Sequence, residues 1–193
     1  MPDDYVRILD QATLSQERYT LKKITFDLRR RSGNWQRQSR EVFERGSGAT
    51  ILLYNPEHRT VLLTRQFRMP AYLNGHDGYM VETAAGMLDD ARPEERIRAE
   101  VEEETGYRVE GVKKIFDLFT SPGAVTERVH YFIGRYDPAQ RVGDGGGLEE
   151  EGEDIEVLEW SYEDALARVA SGEIRDGKTV LLLLYLQLHL MNG

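Results

Sequence analysis

The middle of the chain alternates apolar runs with short polar loops, and this pattern predicts a sheet. Residues 49–55 (ATILLYN) and 60–68 (TVLLTRQFR) are apolar segments joined by PEHR, and 79–84 (YMVETA) follows the polar loop AYLNGHDG. Further strands are predicted around 112–119, around 128–136 and in the run IEVLEW. Runs of this length, bounded by turn-forming residues, are typical of strands packed in a core.

Three other segments have the signals of helices. Pro93 suits the first position of a helix over 93–105, and a Thr-Gly pair supplies its glycine stop. Ser161 is placed to cap a helix in SYEDALARVASGEI, and the apolar run near the C-terminus predicts a last helix from about 177 to 191. Strands dominate the middle and two helices close the chain, so the predicted fold class is an α+β sandwich built on a mixed sheet.

The N-terminal region has a different character. Residues 18–31 alternate in places, SGN is a turn, and 35–45 return, which predicts an antiparallel β hairpin. This charged hairpin has little apolar surface to bury by itself, so we expect it to lean on the core or on a partner. The sequence therefore predicts an N-terminal antiparallel β region over 1–46 and a second domain over 47–193.

The composition excludes several functional classes. The net charge of −9 argues against a nucleic-acid-binding surface, and the absence of cysteine excludes disulfides, thiolate metal sites and cysteine nucleophiles. The acidic N-terminus is not a signal peptide, and the longest apolar run, 179–191, is too short to span a bilayer. We therefore expect a cytoplasmic protein with no membrane or nucleic-acid partner.

Four glutamates crowd into five positions of the predicted helix, in AEVEEETGY. Like charges three or four residues apart repel by roughly 0.2–0.5 kcal/mol a pair, so the clustering has a cost. At about 100° per residue, three of them share one face: Glu100, Glu103 and Glu104. Glu102 points elsewhere, and Ile97 and Val101 are expected on the opposite side, anchored in the core. Hard divalent cations bind such carboxylate clusters, and a solvated charged face is the alternative.

The segment AAGMLDDARPEERIRAEVEEETGY resembles the signature of the Nudix hydrolase superfamily. Gly86 opens the signature, and residues 100–107 close it without a mismatch. The middle departs from it: Arg92 stands in place of a glutamate, Ala99 in place of an arginine, and the stretch between them is one residue short. In the family those two residues are thought to brace the loop against the helix. The resemblance therefore implies intact metal ligands and a missing brace.

The resemblance extends over roughly residues 18–191. SPGAVTERVHYFIGRYD, GGGLEEEGEDIEVLE and GEIRDGKTVLLL are similar to the GDP-mannose hydrolase branch, which is close to the ADP-ribose pyrophosphatases. It implies a Nudix α/β/α sandwich and Mg²⁺-dependent hydrolysis of the pyrophosphate bond of a nucleoside diphosphate sugar, with Mn²⁺ as a substitute. The products are a nucleoside monophosphate and a sugar phosphate. GDP-mannose is the preferred candidate, ADP-ribose is the alternative, and a non-catalytic nucleotide-sugar sensor is a remote third.

The resemblance also implies roles for particular residues. The metal ligands would be the carbonyl of Ala85 and the carboxylates of Glu100, Glu103, Glu104 and Glu151. The general base is expected on the glycine-rich acidic loop 141–154, where the pattern places it best at Glu151. Glu150 and Glu153 remain candidates, and a flexible acidic linker is the alternative interpretation of this loop. Glu103 would assist catalysis.

Substrate binding is expected to need cations and hydrogen bonds. Arg68 matches a substrate arginine of the ADP-ribose enzymes. Arg65 lies three residues earlier and faces the other side of the strand, so a surface ion pair is its alternative role. The other expected substrate residues are Arg37, Arg40, Glu41, Gly123 and Glu127. In the resembling families the N-terminal hairpin is exchanged between two subunits, which implies a homodimer.

One further motif is rejected. GEIRDGKT, at 172–179, matches the P-loop pattern of nucleoside triphosphatases. However, it follows a predicted helix where that fold requires a strand, it contains the acidic Glu173 and Asp176, and too few residues remain for a parallel sheet. Asp176 and Gly177 are instead expected to start the final helix.

Overall fold

The computed structural model describes residues 5–189, apart from the side chain of Glu151. Its first unit contains a three-stranded antiparallel sheet in the order β1-β2-β3. The strands are β1 (Val6–Gln16), β2 (Thr20–Arg29) and β3 (Trp35–Glu44). The predicted hairpin corresponds to β2 and β3, whereas the pattern did not predict β1.

Strand β1 does not alternate apolar and polar residues regularly, because its pairing with β2 is irregular. The register shifts between Ile8 and Asp10 and again between Thr13 and Ser15. Each shift inserts a residue that breaks the period-two pattern, so apolar and polar positions no longer alternate. Nearly all of β1 is exposed, which leaves the sequence without a burial signal at these positions.

The second unit is built on a seven-stranded mixed sheet. Its central order is β10-β5-β4-β9-β8, while β6 pairs with β5 and β7 with β4. These strands are β4 (Gly48–Asn55), β5 (Thr60–Phe67), β6 (Tyr79–Glu82), β7 (Ala84–Met87), β8 (Val112–Phe119), β9 (Arg128–Arg135) and β10 (Glu156–Ser161). The first unit extends to Ser47 and also takes in Leu118–Val129, which the sequence assigned to the second domain.

The three predicted helices form close to their predicted positions. They are α2 (Pro93–Thr105), α3 (Tyr162–Ser171) and α4 (Gly177–His189), and they follow a short α1 (Met69–Leu73), which overlaps the start of the predicted loop 71–78. Gly106 ends α2 in the left-handed conformation at φ 76°, which a glycine adopts without steric cost. The Ser161 hydroxyl accepts a hydrogen bond from the Asp164 amide, so the predicted cap is confirmed. Residues 190 and 191 of the last predicted helix lie outside the described residues.

Strand β4 is buried along its whole length because helices cover the sheet. Ile51 and Leu53 share a core with Ile97 and Val101 of α2. The other buried set comes from the apolar helix α4: Leu182, Leu183 and Leu186. Fully burying each such side chain stabilises the fold by about 1.5–3 kcal/mol. Helix α4 is thus a core element, and across residues 5–189 every helix is too short or too polar to cross a bilayer.

Candidate active site

The glutamates of α2 differ sharply in their environments. The side chain of Glu104 lies in the core at 1% exposure, and Glu100 is exposed by only 5%. Glu103 is half-buried at the edge of this face. Glu102 points to the surface, as predicted, where its carboxylate lies 2.6 Å from the guanidinium of Arg108. The acidic residues therefore divide into a buried face and one surface ion pair.

The expectation that Ile97 and Val101 lie opposite this face is wrong. Ile97 and Val101 are buried together with Glu100 and Glu104, on one side of the helix. Glu104 follows Ile97 by seven residues, almost two full turns, so the two side chains point within about 20° of each other. The carboxylate of Glu104 is consequently carried into the edge of the core by the same packing that buries Ile97.

Strand β7 runs beside these two carboxylates. The Ala85 amide donates to Oε2 of Glu104 over 3.3 Å, and the β4–β7 pairing holds Ala85 opposite Thr50. Gly86 lies directly against Glu100: a Cβ added there would overlap the carboxyl carbon and Oε1 and lie 2.6 Å from Cγ. The structure thus brings together the predicted residues Ala85, Glu100 and Glu104, and it does so through a cradle that only glycine can form.

Burial shifts the pKa values of Glu100 and Glu104 above the ordinary value of a glutamate. It raises the pKa of Glu100 to about 7, against the attraction of Arg96 and with the help of the Glu103 and Glu153 charges. Burial also raises the pKa of Glu104 well above its ordinary value, and the neighbouring charges of Glu100 and Glu153 act in the same direction. Carboxylates held so far from water need a proton or a cation to balance their charge.

A divalent cation fits this donor set. Carboxylate and carbonyl oxygens are the ligands that Mg²⁺ and Mn²⁺ prefer, and the Glu100 carboxyl group lies directly against Gly86. Within the described part of the chain, however, no three acidic or histidine side chains already converge as a complete set of ligands. Two buried carboxylates and a neighbouring backbone segment are in place, so a cation bound here would need further ligands from water, substrate or a loop.

The glycine-rich loop is tied to the end of α2. The amides of Gly146 and Gly147 donate to the carbonyls of Glu104 and Glu103 over 2.9 and 3.1 Å. Three consecutive glycines, 145–147, all have positive φ, which other residues rarely adopt. These bonds satisfy helix carbonyls that have no partner within α2. The first half of the loop therefore acts as a cap of this helix, which disfavours the flexible-linker interpretation.

The loop carries Glu153 close enough to α2 for its charge to act on the buried glutamates. Oε2 of Glu153 accepts a hydrogen bond from the Leu148 amide over 3.0 Å, and this carboxyl group packs against Gly147. Its charge contributes to the raised pKa values of Glu100 and Glu104. Glu150 lies in a short 3-10 helix and is exposed. The side chain of Glu151, the base expected from the sequence, lies outside the described part of the structure.

Arg68 is held by a buried carboxylate that the sequence analysis missed. Its guanidinium donates twice to Oε2 of Glu82, over 2.9 and 2.7 Å, and remains 42% exposed. Burial opposes the charge on Arg68, but Glu82, with Glu104 and Asp176, keeps its pKa above the ordinary value. The sequence did contain a signal for this pair: Glu82 lies inside the apolar run YMVETA, and a buried carboxylate almost always has a partner.

The rejected P-loop motif forms the start of α4, as expected. Lys178 pairs with Asp176 over 2.7 Å, and the carboxylate of Asp176 accepts from the amide and hydroxyl of Thr179. The Thr179 hydroxyl in turn accepts a hydrogen bond from the Thr83 amide over 2.8 Å. This buried connection fixes the chain between β6 and β7, immediately before Ala85. The motif therefore has a positional role next to the acidic face.

The remaining expected site residues have separate environments. Arg65 pairs with Glu156 over 3.0 Å and lies against the ring of Tyr79, which matches its surface-pair alternative. In the first unit, Arg37 pairs with Asp27, Arg40 donates to the backbone and to Gln38, and Glu41 is exposed. Gly123 lies in the turn before Val125, and Glu127 accepts from Thr120 and pairs with Arg45. These placements leave their roles as predictions.

Comparison with known proteins decides the family. Residues 44–182 match the NUDIX domain, and residues 5–43 match the GDP-mannose pyrophosphatase NudK N-terminal domain. The chain belongs to the Nudix hydrolase family. The resemblance drawn from the sequence is therefore confirmed.

Curated relatives of this Nudix hydrolase match over almost its full length. Proteins named GDP-mannose pyrophosphatase from Salmonella paratyphi B and Salmonella typhimurium are 54% and 53% identical to it. One of the same name from Escherichia coli O1:K1 / APEC is 52% identical. In each case the match covers 97% of this chain and 98% of the relative.

The two departures from the Nudix signature are both visible. The side chain of Arg92 is 81% exposed and pairs with Glu95 at the surface. Ala99 is too short to reach a partner. A further contact between the helix and β7 comes from Arg96, whose Nε donates to the carbonyl of Met87 over 3.2 Å. The sequence by itself gives Arg96 no particular role, because nothing in the pattern shows which carbonyl it faces.

The raised pKa of Glu100 makes the stability of the metal-free Nudix hydrolase depend on pH. The folded pKa is about 7 against 4.5 for the free group, so between these values the folded state binds the proton that the unfolded state has lost. Stability from this group is complete below pH 4.5 and is lost as pH rises through 7, by about 3 kcal/mol. We expect a lower melting temperature at pH 8 than at pH 5.5 in EDTA. A Glu100→Gln variant with the same pH dependence would contradict this assignment.

Proposed function

We propose that this Nudix hydrolase cleaves the pyrophosphate bond of GDP-mannose, giving GMP and mannose 1-phosphate, with Mg²⁺ or Mn²⁺ as its cofactor. The main support for a metal-dependent reaction is the buried pair Glu100 and Glu104 beside the Ala85 segment. This donor set is suited to a hard divalent cation. The choice of GDP-mannose rests on full-length relatives of that name. ADP-ribose, with AMP and ribose 5-phosphate as products, is the alternative substrate.

Each part of the site has a role in this reaction. Glu100, Glu104 and the carbonyl of Ala85 would hold the metal, with Glu103 assisting from the edge of the face. A bound divalent cation neutralises phosphate oxygens, polarises phosphorus and makes water more acidic. Arg68 offers an exposed guanidinium edge to a phosphate while Glu82 fixes its orientation. The segment from Thr83 to Gly86 stays in position through Thr179.

For the general base we propose Glu153, which the sequence left as a candidate beside the expected Glu151. Glu153 is held by the Leu148 amide, and its charge acts on both buried glutamates. We expect Glu153→Gln to lower kcat by about 100-fold, because a positioned base contributes about 10²–10⁴. The measurement is steady-state turnover of GDP-mannose at saturating Mg²⁺. Should Glu151→Gln cause this loss and Glu153→Gln leave kcat unchanged, the base is Glu151.

A panel of nucleotide sugars tests the proposed activity directly. GDP-mannose, ADP-ribose and other diphosphate-linked sugars are incubated with the protein and Mg²⁺, and both products are quantified. We expect GDP-mannose to have the highest kcat/KM and to release GMP and mannose 1-phosphate in equal amounts. Faster ADP-ribose turnover favours the alternative, and binding without turnover favours a sensor.

The proposed assembly is a homodimer with an exchanged N-terminal region. Strand β1 is an edge of the first sheet, and it exposes the apolar side chains of Ile8, Leu9 and Leu14. Exposed apolar edge strands favour pairing with another chain. Light scattering coupled to gel filtration should give the mass of two chains, and a monomer mass would contradict the proposal. The cytoplasmic location stays a prediction.

A further inference from the structure

Arg96 of α2 contacts three groups around the acidic face. Its Nε donates to the carbonyl of Met87 in β7 over 3.2 Å. One terminal nitrogen lies 2.5 Å from Oε1 of Glu100, and the other lies 4.0 Å from the Glu103 carboxylate. The side chain is 28% exposed, so its head group is held between the helix and the strand.

The contact with Met87 distinguishes this arrangement from an ordinary helix ion pair. Arginine and glutamate four residues apart commonly pair on a helix surface and contribute only about 0.2–0.5 kcal/mol. Here the same guanidinium also donates a hydrogen bond to β7, the strand that contains Ala85 and Gly86. One side chain thus links the strand that carries the proposed backbone ligand to one of the carboxylates of the proposed metal site.

We propose that Arg96 is a positioning residue of the metal site, which fixes Glu100 relative to the Ala85–Gly86 segment. This inference rests on the proposed metal-dependent function. A planar guanidinium reaches the carbonyl and the carboxylate at once, from Nε and a terminal nitrogen on the same edge. A lysine ammonium is a single point charge and does not reproduce this fork, so charge and geometry can be separated by experiment.

If Arg96 acted only through its charge, its effect on metal affinity would be opposite to that of a positioning residue. A cation beside Glu100 repels a divalent metal, so a purely electrostatic Arg96 would weaken metal binding, and its removal would strengthen it. A positioning Arg96 strengthens metal binding, because residues that orient metal ligands typically change metal affinity by about 10–100-fold when removed. The sign of the change in affinity therefore separates the two roles.

The test measures the dissociation constant of Mn²⁺ by electron paramagnetic resonance, without substrate. We expect Arg96→Met to raise this constant about tenfold and Arg96→Lys to raise it nearly as much. Arg98→Met is the matched control: it removes the same charge from the same helix, where Arg98 donates to the Glu110 carbonyl and contacts no glutamate of the acidic face. Its Mn²⁺ constant should stay within about twofold of the original.

A cooperative melting transition in EDTA verifies that each variant is folded. If Arg96→Met does not fold, the Mn²⁺ constants of Arg96→Lys and Arg98→Met are compared instead. An unchanged or lower Mn²⁺ constant in Arg96→Met, or full recovery in Arg96→Lys, overturns the positioning role while leaving the proposed function intact. Failure of the unsubstituted protein to bind Mn²⁺ overturns the proposed function and this inference with it.

Discussion

Gly86→Ala is expected to lose metal-dependent hydrolysis almost completely while the protein still folds. The added methyl group would occupy the space of the Glu100 carboxyl group, overlapping its carbon and one oxygen. Glu100 must then rotate away from Gly86, because its carboxyl group and the added methyl group cannot occupy the same space. A displacement of about 1 Å can cost about 10²-fold in rate, and the loss of a ligand costs more. We expect kcat/KM for GDP-mannose to fall at least about a thousandfold.

The control for this variant is Gly111→Ala. Gly111 has no atom within 4 Å of an added Cβ and no positive φ, so the same chemical change is harmless there. Its turnover should match that of the unsubstituted protein. Mn²⁺ binding and melting temperature separate a damaged site from a damaged fold. If Gly86→Ala kept both Mn²⁺ affinity and turnover, Glu100 would not be a ligand.

Glu104→Gln is expected to abolish the metal response and reduce kcat by about a thousandfold or more. Glutamine keeps the shape of this buried side chain but cannot balance a divalent charge. Mg²⁺ binds only the folded state, so it should raise the melting temperature of the unsubstituted protein through mass action. The variant should lack most of that rise. In EDTA at pH 8 it should melt higher than the unsubstituted protein, because folding no longer requires this carboxyl group to take up a proton or to bury its charge.

The matched control is Glu102→Gln, on the same helix. Glu102 pairs with Arg108 at the surface, so its replacement changes the net charge equally without touching the buried face. Its metal response and kcat should stay close to the original values. An equal metal response in Glu104→Gln and Glu102→Gln would mean that the acidic face is merely a charged surface.

Local chemistry was enough to predict most of the fold. Helix α2 begins at Pro93 and ends before Gly106 because both residues have strong local preferences that tertiary packing did not override. Strands β4 and β5 follow from apolar runs that only a core can accommodate. Strand β1 was missed because two bulges break its alternation, and α1 because five residues are too few to show a helical period.

For the candidate site, too, the sequence predicts some features and the tertiary structure alone decides others. Sequence alone determined that Glu100, Glu103 and Glu104 share one helical face, because helical geometry depends only on spacing. Only the tertiary structure decided that Glu82 holds Arg68, that Arg96 reaches Met87, and that the charge of Glu153 acts on Glu100 and Glu104. These are contacts between residues distant in sequence or on different elements. They depend on strand register and loop path, which many residues set together.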